Sequence, residues 1–279
     1  MKYSKSVFLF SVFFVAGTQV LHAQETADVH PYLTQKFFLD TGIYFPDRNL
    51  RVSVAGPVTG PNDPIDLEGQ FGLDRSDETF SLNFGWRFGK KWDLGAQYFE
   101  SSGARGAVLG EDIEWNDIVF GQGTNVIAGQ DFRLIRMFFG RKFESSERQS
   151  IGVGAGIHWL ELGVFIEGDI IVNGGGNPFR RESVVAEMPL PNIGAWYMYS
   201  VSPNWAVKAR VDWFSAEVGD YDGELINASL GMNYQMFEHF GVGVSYNFVD
   251  LDVTISKSDW KGRAQLSYEG VFANLSFYW

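Results

Sequence analysis

The sequence predicts an all-β chain: an antiparallel up-and-down barrel of about ten strands that crosses a membrane, with eight or twelve strands as the alternatives. Three observations predict it. Apolar residues recur at every second position in ten separate stretches, which is the period of a strand. The face opposite those residues is mostly Gly, Ser and Asn, with isolated charges. The connections between the stretches alternate between short and long. Composition agrees: 279 residues with 25 Phe, 11 Tyr and 9 Trp, 45% hydrophobic, fold rather than stay disordered. A net charge of −12 argues against a nucleic-acid partner, which needs Lys and Arg to neutralise phosphate. The absence of Cys excludes disulfides, thiolate metal sites and Cys nucleophiles together.

The elements follow in chain order. Residues 1–23 read as a secretory signal peptide: Lys2 and Lys5 lead, residues 7–17 are apolar, and Leu21, His22 and Ala23 form a small-residue end with cleavage after Ala23. The apolar part, about 11 residues, is short of the roughly 20 that a spanning helix needs. Residues 24–36 then form a periplasmic N-terminal segment, and 37–279 the barrel. The first strand alternates through Phe37, Leu39, Thr41, Ile43 and Phe45, the second through Phe80, Leu82, Phe84, Trp86 and Phe88. Trp92, Leu94, Ala96 and Tyr98 make the third. Residues 132–143 make a fourth whose phase is open, because Ile135, Met137 and Phe139 compete with Leu134, Arg136 and Phe138 for the apolar face. Ile151 to Trp159, Ile193 to Tyr199, Trp205 to Trp213, Ala228 to Tyr234, Phe240 to Phe248 and Val271 to Trp279 complete the set. The longest charge-free stretch, 188–207, is broken by Pro189, Pro191 and Pro203, so it is no membrane helix.

The polar face separates lipid from water as the outer solvent. A soluble barrel carries Lys and Glu on its wet face, whereas small polar groups and paired charges suit the bore of a narrow membrane barrel. The expected lumen network is Asp40, Arg87, Asp93, Arg136, Lys208, Arg210 and Asp212. Trp86, Trp92, Trp159, Tyr199, Trp205, Trp213 and Trp279 stand at strand ends, where amphipathic rings mark the edge of the hydrocarbon. Short links are expected at 89–91, 144–149, 202–204 and 237–239. Long loops are expected at 47–77, 101–129, 169–183, 217–223 and 255–263, which puts both chain ends on one side.

With strands, girdles and loops in place, the chain resembles Gram-negative outer-membrane β-barrel proteins. Its terminal strand, with Val271, Ala273, Leu275, Phe277 and Trp279 on one face, resembles the aromatic-ended signal read by barrel-assembly machinery. A stretch from Ile65-Asp66-Leu67 through Phe71-Gly72-Leu73-Asp74, followed by a strand ending in Arg87-Phe88, resembles a poorly characterised group of such barrels, with Phe71 where Leu is usual. The resemblance implies residence in the outer membrane, contact with its lipids and lipopolysaccharide, and no defined activity.

Candidate chemistry is sparse. His158 shares an inward row with Gly152, Gly154 and Gly156, and Asp212 lies at similar height two strands on. A carboxylate-held His is how a general base is oriented, so His158 and Asp212 are the candidate catalytic pair. The competing reading makes them members of a polar network that fills the bore. Neither the acidic and His motif of an omptin-like protease nor the His and Ser signature of lipid A deacylases is matched. His30 and His239 are expected in solvent. Glu111, Asp112, Glu114 and Asp117, with Asp220 and Asp222, are acidic loop residues whose spacing matches no Ca²⁺ loop, so no metal or cofactor is expected. The functional expectation is a structural or surface-interaction barrel without catalysis. Its rivals are a lipid A- or peptide-hydrolysing enzyme and a narrow small-solute channel.

Overall fold

A computed structural model describes residues 29–55, 65–71, 79–115, 118–170, 179–256 and 261–279. The signal-peptide reading and Asp117 lie outside them. After a short helix α1 (Pro31–Thr34), the strands are β1 (Phe37–Ala55), β2 (Ile65–Asp66), β3 (Thr79–Phe88), β4 (Trp92–Val108), β5 (Ile113–Trp115), β6 (Ile118–Phe120), β7 (Asn125–Ser145), β8 (Gln149–Asp169), β9 (Phe179–Ser202), β10 (Trp205–Val218), β11 (Tyr221–Phe237), β12 (Phe240–Ser256) and β13 (Lys261–Tyr278). A second short helix, α2, covers Leu67–Phe71. Each long strand pairs antiparallel with the next, and β13 pairs with β1 from Phe38↔Tyr278 to Ala55↔Lys261, closing a ten-stranded wall. Closure leaves no open edge in lipid, where an unpaired N–H or C=O has no water to bond.

Across the membrane the side chains divide as the alternation requires. On β7, Ile135, Met137 and Phe139 face out and Arg136 and Phe138 face in, which settles the ambiguous phase. On β8 the outward row runs Val153, Ala155, Ile157 and Trp159 over Gly152, Gly154, Gly156 and His158. This band is about nine residues tall, the span of a tilted strand through hydrocarbon.

Above the outer aromatic rows the polarity reverses. Outward positions become Arg133, Glu161, Asp250, Asp252 and Gln265, while Phe132, Leu134, Leu160, Leu162, Val164, Ile166, Val249, Leu251, Val253, Ala264, Leu266 and Tyr268 turn inward and are buried in one apolar cluster. The expected polar bore is therefore polar only at membrane height. Several expected loops are extensions of strands: 47–55, 101–108 and 125–129 are all β, and 217–223 contains only a tight turn at Gly219 (φ 62°) and Asp220. A search for apolar-outward alternation misses these extensions because their alternation runs in the opposite phase.

The wall also divides there. Pro189 and Pro191 have no N–H to donate, and the β9–β10 ladder ends at Trp213↔Ile193 just below them. On the other side β3 starts only at Thr79, so among the described residues the upper part of β1 pairs with β13 and, through Arg51 and Val52, with β2. The storey away from the chain ends is thus two sheets face to face, β4-β7-β8-β9 against β10-β11-β12-β13-β1-β2. Phe132 stacks on Tyr268 across the gap, ring centroids 5.3 Å apart. Ile65 and Phe71, with Trp115 and Phe120 of the β5–β6 hairpin, are buried in the same core. The part of 49–76 that is described beyond β1 therefore packs inward. A sandwich with an apolar core stands on a barrel with a polar one.

Space inside the lower barrel comes from glycine. A Cβ at either Gly152 or Gly140 would run into the Trp196 ring, so the indole packs directly against two glycines. Phe138 stands edge-on to it at 5.9 Å. Gly152→Val should lower stability by about 1–3 kcal/mol, the cost of overpacking a filled core. The check is an earlier loss of the folded, heat-modifiable gel band.

Candidate functional site

At membrane height the lumen brings several charged groups together in the interior. Its floor is the N-terminal segment. His30, expected in solvent, is fully buried there: its backbone N–H donates to Ser200 Oγ (2.9 Å), its Nδ1 accepts from Tyr32 N (3.0 Å), and its ring meets Tyr278 edge-on at 5.6 Å. Tyr32 donates its hydroxyl to Asp40 Oδ2 (3.1 Å), and Arg87 Nη1 donates to the Gln35 carbonyl (3.1 Å). Residues 29–36 therefore cap, from inside, the mouth of the barrel at the end where both described chain termini lie. His239 stays in its turn, beside Glu238 and within 2.9 Å of the Tyr278 carbonyl.

Three carboxylates organise the charges. Asp40 accepts from Lys208 Nζ (2.5 Å), Ser276 Oγ (2.7 Å) and Tyr32. Asp212 Oδ1 accepts one hydrogen bond from Arg136 Nη2 (2.7 Å), while Oδ2 is in ion-pair contact with Arg136 Nε (2.7 Å) and Arg210 Nε (3.4 Å). Asp93 lies between Arg87 (3.3 Å) and Lys142 (3.8 Å). The single charge-assisted bond from Arg136 to Asp212 is stronger than a bond between neutral groups. Arg210 otherwise donates to neutral amides, Gln97 Oε1 (2.9 Å) and Asn227 Oδ1 (3.2 Å).

His158 sits among amides. Nδ1 is 2.7 Å from the Asn192 amide and Nε2 is 3.1 Å from that of Asn227. A neutral imidazole offers one N–H and one lone pair. Both contacts are satisfied when Asn192, whose Oδ1 is otherwise without a partner, turns that oxygen to Nδ1–H while Asn227 donates to Nε2. The Asp212 oxygens are engaged by arginines rather than by the ring, and His158 is fully buried. The arrangement holds the imidazole rigidly and offers a substrate no approach to it.

The aromatic residues form two levels on the outside. Trp86, Trp92, Tyr199, Trp205 and Trp279 lie at strand ends on the side of the 29–36 cap, and Trp159 and Trp213 at the outer edge, all exposed. Of the terminal strand, Val271, Ala273, Leu275 and Trp279 face outward and Phe277 is half-buried on the same row. Among the acidic loop residues, Asp112 accepts from Gln122 N (2.7 Å), Glu111 accepts from Gln70 (2.9 Å), and Asp220 and Asp222 are exposed; no group of three or more His, Asp or Glu among the described residues is arranged to hold a metal ion. Phe138 and Trp196, which line the lumen, escape a search for polar rows. The glycines facing them are the signal that marks them.

With a closed ten-stranded wall, an apolar belt and a polar bore established, solved structures provide the comparison. The outer-membrane protease OmpT of Escherichia coli superposes with a TM-score of 0.57 at 10% identity, over 88% of this chain and 97% of that one. The chain has the fold of an outer-membrane β-barrel. OprG of Pseudomonas aeruginosa matches at a TM-score of 0.35 and 11% identity over 91% and 99% of the two chains. The toluene transporter TodX of Pseudomonas putida gives 0.36 and 10% over 88% and 90%. No family model and no curated protein matches the sequence. At such identities the likeness is one of fold.

The N-terminal cap carries a pH dependence. Burial first, and then the Lys208 charge, push the His30 imidazole down from its ordinary value near 6.5 to about 4, with Asp40 opposing. The ring is therefore neutral when docked, as its acceptor role requires. Between those two values the unfolded chain holds more protons than the folded one, so stability falls as pH drops through that window. The heat-modifiable transition should come at lower temperature at pH 5 than at pH 7. His30→Asn, which keeps a capping acceptor without a titrating ring, should flatten the difference.

Proposed function

We propose that this barrel is a closed, non-catalytic outer-membrane protein whose role lies in structure and surface interaction. The observation that carries this reading is the dry core over the lumen: Trp115, Phe120, Leu134, Leu160, Leu251, Leu266 and Tyr268 are essentially inaccessible and fill the bore above the polar layer. A ten-stranded wall is already narrow compared with the roughly 16 strands of open pores, and among the described residues these apolar side chains lie across the bore. The burial of His158 and its bonding to amides speak in the same direction against hydrolysis. The OmpT likeness supports the barrel alone, at 10% identity.

The surface that remains is the charged outer storey. Glu100, Arg133, Glu161 and Glu187 stand side by side in register on β4, β7, β8 and β9, and Asp47 lies opposite Glu269 on β1 and β13. These residues stand just above the outer aromatic row, at the height of lipid headgroups. Carboxylates facing lipopolysaccharide phosphates repel them unless divalent ions bridge the two, so contact with that lipid runs through Mg²⁺ or Ca²⁺. The aromatic-ended β13 is the segment offered to the barrel-assembly machinery, and export by a cleaved leader completes the proposed route.

Planar bilayers holding the purified protein should show no stable conductance steps; regular unitary steps overturn the closed reading. Lipid A mass and peptide cleavage should be the same for wild type and His158→Ala. In lipopolysaccharide micelles, replacing Mg²⁺ with EDTA should lower the heat-modifiable transition by several degrees, and neutralising Glu161 and Glu187 together should shrink that shift.

A further inference from the structure

Between the N-terminal cap and the apolar core lies a chamber of about 120 Å³, bounded on its charged side by Arg136, Lys208 and Arg210 with Asp40 and Asp93, and on its apolar side by Phe138, Trp196 and Phe272. An engineered apolar cavity of about 150 Å³ takes a benzene ring, so this chamber holds either several waters or one small organic molecule.

Charge decides which molecule. On the inward face of the membrane-spanning strands, among the described residues, five cations (Arg87, Arg136, Lys142, Lys208, Arg210) meet three carboxylates (Asp40, Asp93, Asp212). Asp93 and Asp212 are each shared between two cations. Arg136 contacts both oxygens of Asp212, which leaves Arg210 at 3.4 Å from it and bonded otherwise to neutral amides. Excess charge away from water is costly unless a counter-charge joins it. An inorganic ion would satisfy the charge but not the aromatic walls.

We propose that the chamber binds a small organic carboxylate, its anionic head on Arg210 and Lys208 and its apolar body against Phe138, Trp196 and Phe272. The dry core closes the way to the cell exterior, so the ligand enters from the periplasmic side, past the docked 29–36 segment. This goes beyond the structural role proposed above and is independent of it, since binding in a dead-end chamber needs no conduction.

Benzoate is the probe, titrated into the refolded full chain in detergent with gluconate as the only other anion, and followed by calorimetry and tryptophan fluorescence. Saturable binding is expected. Benzyl alcohol, which has the same ring without the charge, should bind at least tenfold more weakly, and chloride should compete only at far higher concentration. Arg210→Met should weaken benzoate at least tenfold while Arg210→Lys stays within a few-fold, both with the wild-type heat-modifiable band. Absence of saturable benzoate binding overturns the proposal. So does equal affinity for benzyl alcohol, which removes the charge argument, or chloride binding as tightly as benzoate, which removes the role of the walls. If Arg210→Met does not fold, the benzoate and benzyl alcohol comparison on the wild type decides alone.

Discussion

Each long strand of this protein passes through two solvents, and the side that must be apolar changes where it leaves the first. Inside the membrane the outer surface touches acyl chains and the bore is lined by polar groups, so apolar groups point out. Beyond the headgroups the outer surface is wet, so apolar groups turn in. On β12 the change falls between Phe248, the last outward aromatic, and Asp250, with Val249 already buried. On β8 it falls between Trp159 and Glu161, with Leu160 buried. Because side chains alternate strictly along a strand, the reversal needs no bulge or turn at these points. It needs only a swap in which parity carries the apolar residues.

From that reversal the remaining architecture follows. Hydrocarbon demands closure, since every backbone group must find a partner in the wall. Water does not, so the outer storey is free to open between β9 and β10, where two prolines end the ladder, and beside β3, which among the described residues reaches only to Thr79. An opened wall with apolar inner faces collapses into a sandwich, and the contact of Phe132 with Tyr268 is one of its seams. The inserts bearing Phe71, Trp115 and Phe120 complete a core that the wall residues alone leave short of side chains. A narrow bore and a dry roof together produce a dead-end chamber, and that enclosure gives the buried charges their weight.

The lumen charges belong to one physical system. Taken out of bulk water, each needs a partner, and the ion pairs on Asp212 and Asp40 tie β7, β10, β1 and β13 across the interior as cross-braces. His158 joins the same fabric through Asn192 and Asn227 rather than through a carboxylate. A buried His held by amides is a spacer in a filled barrel. The same ring held by Asp212 would have been a general base in waiting. The distinction lies in a few ångströms of strand stagger.

Much was legible in the residues themselves. Alternation, the girdle tryptophans and the Gly, Ser and Asn face determine a membrane barrel, because strand period and solvent preference are local properties that each residue carries with it. Parity likewise determines that Lys208, Arg210 and Asp212 look inward from β10, whichever strands face them. Tertiary structure alone decided the rest. The extensions at 47–55 and 101–108 look like loops until a second sheet is there to bury Leu50 and Phe99's neighbours. His30 looks solvated until Ser200 and Tyr278, far along the chain, enclose it. Which arginine Asp212 meets depends on the shear between strands that are not sequence neighbours. Pairing across a closed wall is a long-range quantity, set by the register of all ten strands together, and no local window contains it.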